Sequence, residues 1–252
     1  MNKRIILMLS LFIIIIALIP QTSFAEGGGT GITGLIFNSE EGPEATVDTV
    51  KLLILLTVLS LAPSFLILTT CFTRIIVVLS FLRSALGTQQ TPPNQLLIGL
   101  ALFLTLFIMQ PIYSQVMDEA INPFLADEIN QDEAIDIAID PIKEFMLKQT
   151  REKDLALFLR ASGSENVESP MDLSLVTVVP AFAISELKIA FSIGFIIFIP
   201  FLVIDMVVAS ILMSMGMMML PPVMISLPFK ILLFVLVDGW YLVVESLLES
   251  FI

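Results

Sequence analysis

The sequence predicts an all-α integral membrane protein, and three observations predict it. Hydrophobic residues make up 57% of the chain and charged residues only 14%, against about 25% charged in a soluble domain. Mean hydropathy is +0.98. Four long apolar segments follow the N-terminal leader, at Leu52–Thr70, Leu96–Ile112, Ile184–Leu212 and Ser226–Leu248. None alternates in and out as a membrane β-strand does. Helices satisfy their own backbone groups in lipid, so these segments are expected to be helical.

Residues 1–25 have the pattern of a cleavable signal peptide. Lys3 and Arg4 are basic, Ile5 to Ile19 is apolar apart from Ser10, Pro20 follows, and Ser23-Phe24-Ala25 gives a small-x-small site. An uncleaved anchor is the alternative. Residues 26–50 form an acidic, Gly-rich arm, expected to be poorly ordered and periplasmic; its glycines lack the Lys-Ser/Thr of a phosphate loop.

Residues 51–112 and 181–252 each read as a membrane helical hairpin. The apolar segments are near or above the roughly 17 residues a tilted span needs. Pro63 predicts a kink or break in the first. With the mature N-terminus outside, Cys71–Gln95 falls inside, with Arg74, Arg83 and no acid. That loop reads as helix over Phe72–Leu86, stopped by Gly87 and Pro92-Pro93, with both arginines available to lipid headgroups. Arg74 and Arg83 lie nine positions apart, about 180° around a helix, and so serve different partners.

Residues 113–180 form an acidic helical region on the outer side. Asp140-Pro141 predicts a fresh helix start, an amphipathic helix is expected over Pro141–Arg160, and Ser162-Gly163-Ser164 ends it. A solvated face explains its charges, as does a docking surface for neighbouring subunits.

Composition excludes several functions. The chain has no histidine, which removes His-based catalysis and His metal sites, and its one cysteine, Cys71, forms no intrachain disulfide. A net charge of −12 argues against a nucleic-acid surface. No residue pattern indicates a cofactor, a metal or a catalytic centre.

Charges inside apolar segments are the sharper signal, because an ionised group there persists only when paired or facing a cavity. They are Glu186, Lys188, Asp205, Lys230 and Asp238. Folding the last two segments together about Met217 places Asp205 twelve positions before the turn and Lys230 thirteen after it, which predicts a buried ion pair. Asp238 lies eight residues beyond Lys230 and could join it. Glu186 has no partner in that register and is expected to meet a basic residue of another chain. Alternatively, Glu186 and Lys188 both snorkel at the membrane interface.

The turn itself holds Met213, Met215, Met217, Met218 and Met219 around Gly216, with Met224 after Pro221-Pro222. Methionine is soft and adaptable. The run is therefore either core filler or a deformable gasket at a constriction. Two other classes compete with a constriction. An intramembrane aspartyl protease would use Asp205 and Asp238, but Lys230 would hold a carboxylate ionised. A small-solute transporter would show repeated halves, and none is visible.

The runs FTRIIVVLSFLRSALGTQQTPPNQLLIGLALFLT and PAFAISELKIAFSIGFIIFIPFLVIDMVVASILMSMGMMMLPPVMISLPFKILLFVLVDGW resemble the FliP family of flagellar biosynthesis proteins and its type III secretion relatives. Ser192 departs from the family pattern, where a larger polar or charged residue is usual. The resemblance implies helical hairpins that assemble into a multi-subunit export-gate complex in the bacterial inner membrane, at the flagellar basal body. It implies a homo-oligomer, a pentamer, together with FliQ-like and FliR-like subunits and other export-apparatus components. Unfolded flagellar proteins would be the cargo. It also implies that much of the complex is raised toward the periplasm, contrary to four simple spans. By position, the five loop methionines would be the pore gasket. Asp205, Lys230, Glu186, Arg74 and Arg83 would be intersubunit contacts.

Overall fold

A computed structural model describes residues 43–252 except 89, 164–168, 218, 219 and 252, with side chains described from residue 53 onward except at 62. The expected signal peptide, and the arm up to residue 42, lie outside the described residues. The chain divides into two compact units, Met1–Leu59 and Ser60–Ile252. All the packing below belongs to the second.

Every regular element among the described residues is helical. The first, α1 (Pro43–Thr69), starts inside the expected arm, so the last residues of that arm are helical rather than poorly ordered. It also runs unbroken through Pro63. Proline removes one N–H and crowds one carbonyl, and the long apolar flanks keep the helix going on both sides.

Helix α2 (Phe72–Leu86) stops where expected. Gly87 adopts φ 75°, and its N–H reaches the Ser84 carbonyl. Ile75, Val78, Leu79, Leu82 and Leu86 share a helical stripe and are buried. The α2 helix therefore lies at the centre of the core, against α3 (Asn94–Ile108) and the long α8 (Leu175–Ser214), rather than forming an ordinary exposed hairpin loop. Two pairings seal it. Phe81 stacks edge-on against Phe191 with ring centroids 5.1 Å apart. Its ring also lies over Gly194, where an added Cβ would fall 2.6 Å from the Phe81 Cγ.

The expected second span does not form as one helix. Helix α3 ends at Ile108, and α4 (Gln110–Val116), a π-helical turn (Met117–Ile121) and α5 (Asn122–Leu125) continue at 56° to it.

In the acidic region α6 spans Gln131–Gln149, with Pro141 inside it rather than at its start. Asn130 and Glu133 form a capping box that fixes the N-terminus at Gln131, ten residues before the expected start at Pro141. The chain turns at Thr150, so the single helix expected through Arg160 is two; α7 spans Glu152–Ser162 and ends on Gly163 at φ 68°.

The α8 helix runs for 40 residues and is the one described helix both long and apolar enough to cross a membrane unaided. Three bent helix pairs would raise the number to four if each counts as a span. The fourth expected span is one of these, broken into α9 (Pro222–Leu236) and α10 (Gly239–Glu249) at 63°. Asp238 sits at the break with φ 51°, a left-handed conformation uncommon outside glycine. Gly239 lets the Phe234 ring fold over the backbone; a Cβ there would lie 2.2 Å from that ring.

Candidate functional site

Two buried charge clusters and one loop make up the site, and α8 connects them. The first cluster centres on Arg74, near the start of α2. A guanidinium presents five N–H donors in a fixed fork, and all five are used. Nε donates to Glu186 Oε2 at 3.0 Å, and Nη2 donates to Glu186 Oε1, so the carboxylate is gripped at both oxygens. Nη2 also donates to Gln149 Oε1 at 2.9 Å. Nη1 donates to the Ser250 carbonyl at 2.7 Å and to Ser250 Oγ at 3.0 Å. The guanidinium carbon lies 3.8 Å from the centroid of the Phe251 ring. One arginine therefore joins α2, the end of α6, α8 and the C-terminal tail.

This corrects two expectations. Glu186 finds its basic partner in its own chain, not another, and it is fully buried rather than snorkelling. Arg74 likewise faces inward and is not free for headgroups or for a neighbouring subunit. Gln149, Ser250 and Phe251 were not singled out from sequence, and no spacing in the chain connects them to position 74.

The second cluster lies at the other end of α8. Lys230 Nζ donates to Asp205 Oδ2 at 2.6 Å, and Ser226 Oγ donates to Asp205 Oδ1 at 2.5 Å. Lys230 is buried and Asp205 about a quarter exposed. The antiparallel register counted from Met217 thus brings Asp205 and Lys230 together. Sequence reasoning missed two further partners. Ser226 sits one helical turn before Lys230, on the same face. Lys230 also donates to the Ala85 carbonyl at 3.2 Å. The last carbonyls of a helix lack internal partners and carry its negative dipole end, so the ammonium closes the C-terminus of α2 while pairing with α8.

The remaining charges stand apart. Arg83 Nη1 donates to Asn94 Oδ1 at 2.5 Å and to the Pro92 carbonyl at 3.5 Å, holding the turn before α3. It does serve different partners from Arg74. Asp238 is exposed at the α9–α10 break and makes no ion pair with Lys230 among the described residues. Lys188 is exposed on α8.

A third network pins α7, which lies outside the apolar helices, to α8. Ser185 Oγ donates to Asp154 Oδ2 at 2.7 Å and accepts the Arg151 backbone N–H at 3.1 Å. Arg151 Nε and Nη2 lie 2.7 and 2.6 Å from the same carboxylate oxygen. Burial pushes the Asp154 carboxyl up, but the Ser185 hydroxyl and the Arg151 guanidinium pull harder and hold it below its usual range.

The methionine loop begins at a defined stop. The Met217 N–H reaches the Leu212 carbonyl at 3.0 Å and the Gly216 N–H reaches Met213 at 3.1 Å, with Gly216 at φ 76°. This is a Schellman motif, and it requires a residue that adopts left-handed φ. Pro221 and Pro222 start α9 on the far side. Met213, Met215 and Met224 are exposed and Met217 is half-buried; Met218 and Met219 lie outside the described residues. Among the described residues no group of histidine, cysteine and acidic side chains could hold a metal ion.

The sequence model of the FliP family matches residues 55–247. The flagellar biosynthetic protein FliP of Bacillus subtilis (strain 168) is 67% identical over 216 residues, covering 86% of this chain and 97% of that protein. The protein of the same name from Pectobacterium carotovorum subsp. carotovorum is 54% identical over 83% of this chain and 81% of its own length. That of Caulobacter vibrioides is 52% identical, over 93% and 86%.

Proposed function

This chain belongs to the FliP family, and from that membership we propose that it is a core subunit of the flagellar type III protein export gate. Members of the family are components of flagellar export and not enzymes. The finer reading is a channel that carries unfolded flagellar proteins across the inner membrane and is closed by the methionine-rich loop. Several copies, five by family resemblance, assemble with FliQ-like and FliR-like subunits, and part of the complex stands on the periplasmic side.

The observation that carries this reading is the loop geometry. A Schellman stop at Gly216 ends α8 and a double-proline start at Pro221-Pro222 opens α9, so the methionine run is bounded on both sides, with Met213 and Met215 exposed. The Asp205–Lys230 bridge braces the stem below it. A ring of such tips would present a soft, apolar rim that yields to a passing chain and closes behind it. Large exposed apolar faces on α3, α8 and α9 also support a protein covered by lipid or partners.

The test has two arms. Native mass spectrometry of the detergent-solubilised complex should give a multi-subunit mass containing several copies of this chain. Replacing Met215 and Met217–Met219 by alanine should leave that mass intact and raise ion conductance. Unchanged conductance in an assembled mutant would make the methionines filler.

A further inference from the structure

Lys188 is the exposed cation of α8, α9 and α10; the other cation in these helices, Lys230, is buried. It stands in an apolar stripe formed by Ile184, Leu187, Phe191 and Phe195, spaced three or four apart on one exposed face of α8. It makes no hydrogen bond or ion pair through its side chain among the described residues. A lone cation on an apolar helix needs an anionic partner when that face leaves water.

A matching surface lies on α10. Trp240, Tyr241, Val244 and Leu248 line an open groove of about 570 Å³ together with Glu245 and Glu249. Tyr241 donates its hydroxyl to Glu245 at 2.9 Å, which fixes one carboxylate in place, while Glu249 makes no hydrogen bond or ion pair among the described residues. The groove is thus apolar and aromatic with two acids one turn apart, and the stripe is apolar and aromatic with one base.

The Arg74 node sets both surfaces at the same level. Arg74 bonds Glu186 and Ser250 at once. Lys188 follows Glu186 by two residues and Glu249 immediately precedes Ser250. A second copy moved sideways, with little axial shift, would therefore bring its Lys188 opposite the first copy's acids.

We propose that the Ile184–Phe195 stripe of one copy seats in the Trp240–Glu249 groove of the next, with Lys188 between Glu245 and Glu249. This rests on the reading that the chain works as a homo-oligomer. The two surfaces differ, so the contact is head-to-tail, the kind that closes into a ring or winds into a helix rather than stopping at a dimer.

The experiment is cysteine crosslinking in the assembled complex. Lys188→Cys combined with Glu249→Cys should give, on mild oxidation, a ladder of disulfide-linked multimers, and neither single variant should; the native Cys71 is buried and adds no background. A second arm reverses charge: Lys188→Glu should lose assembled complex, and adding Glu245→Lys and Glu249→Lys should recover it. A full-mass oligomer that gives no ladder overturns this contact while leaving the export-gate reading standing. Crosslinks from Lys188→Cys alone would show a like-to-like contact and overturn it too. If the unaltered chain forms no homo-oligomer, the export-gate reading fails first and this inference with it. An oligomer indifferent to Lys188→Glu would assign that lysine to lipid headgroups and overturn the pairing.

Discussion

Arg74 grips both carboxylate oxygens of Glu186 across 112 positions of sequence, with each side chain almost wholly buried. A buried pair of this kind is not a net source of stability, because desolvating both ions offsets their attraction. Breaking it is another matter. Glu186→Ala should destabilise the chain by about 3–5 kcal/mol, since an uncompensated guanidinium stays inside. Arg74→Lys should also destabilise it, because an ammonium offers three donors where five are used. The pair Arg74→Met with Glu186→Met should be milder than Glu186→Ala alone. Thermal unfolding of the solubilised protein measures all three.

At the other cluster, Lys230→Glu should abolish assembly by placing two carboxylates against each other. Combining it with Asp205→Lys should restore the ion pair but not the bond to the Ala85 carbonyl, so recovery should be partial. Co-purification yield of the complex is the readout, and a double swap no better than the single would refute the pairing.

Gly194→Ala should cost about 1–3 kcal/mol, the usual range for forcing an extra methyl into packed surroundings, because the Phe81 ring occupies its Cβ position. Trimming that ring in Phe81→Leu should remove most of the penalty of the glycine change. A double-mutant cycle on melting temperature tests this, and additive effects would show that the two do not share space.

The Asp154 network predicts an acid-sensitive dock for α7. Its carboxyl lies below the usual range when folded, so the folded state binds that proton less readily than the unfolded one. The contribution is present above the ordinary aspartate value of about 3.9 and is lost as pH falls through the folded value. Asp154→Asn should flatten the acid limb of the stability profile, measured as melting temperature from about pH 6 down to pH 3.

What could be read from the sequence divides along physical lines. Helix stops at Gly87 and Gly163 were legible because a left-handed residue is a local requirement. The Asp205–Lys230 register was legible because a short turn connects the two helices, and counting from Met217 leaves little freedom. Arg74 and Glu186 share no such tether, and their meeting depends on how α2 packs into the whole core. Proline misled twice. At Pro141 the capping box at Asn130 and Glu133 fixed an earlier start, and that box could have been found by its spacing. The α9–α10 break was also marked, by the turn-forming dipeptide Asp238-Gly239, inside a segment long and apolar enough to read as one span, where Asp238 reads as a buried charge and not as a turn residue. The methionine loop was visible as composition; the Schellman bonds that fix its start were not.

The bonds from Arg74 to Ser250 also set an order on how the core can form. Ser250 supplies two of the five bonds and Phe251 the ring beneath the guanidinium, and Ser250 lies 176 positions downstream of the arginine it completes. Until that distant segment docks, the arginine at the heart of the core has part of its fork unmatched. The seating of α2 is therefore decided late, by residues far along the chain, and not by its neighbours in sequence.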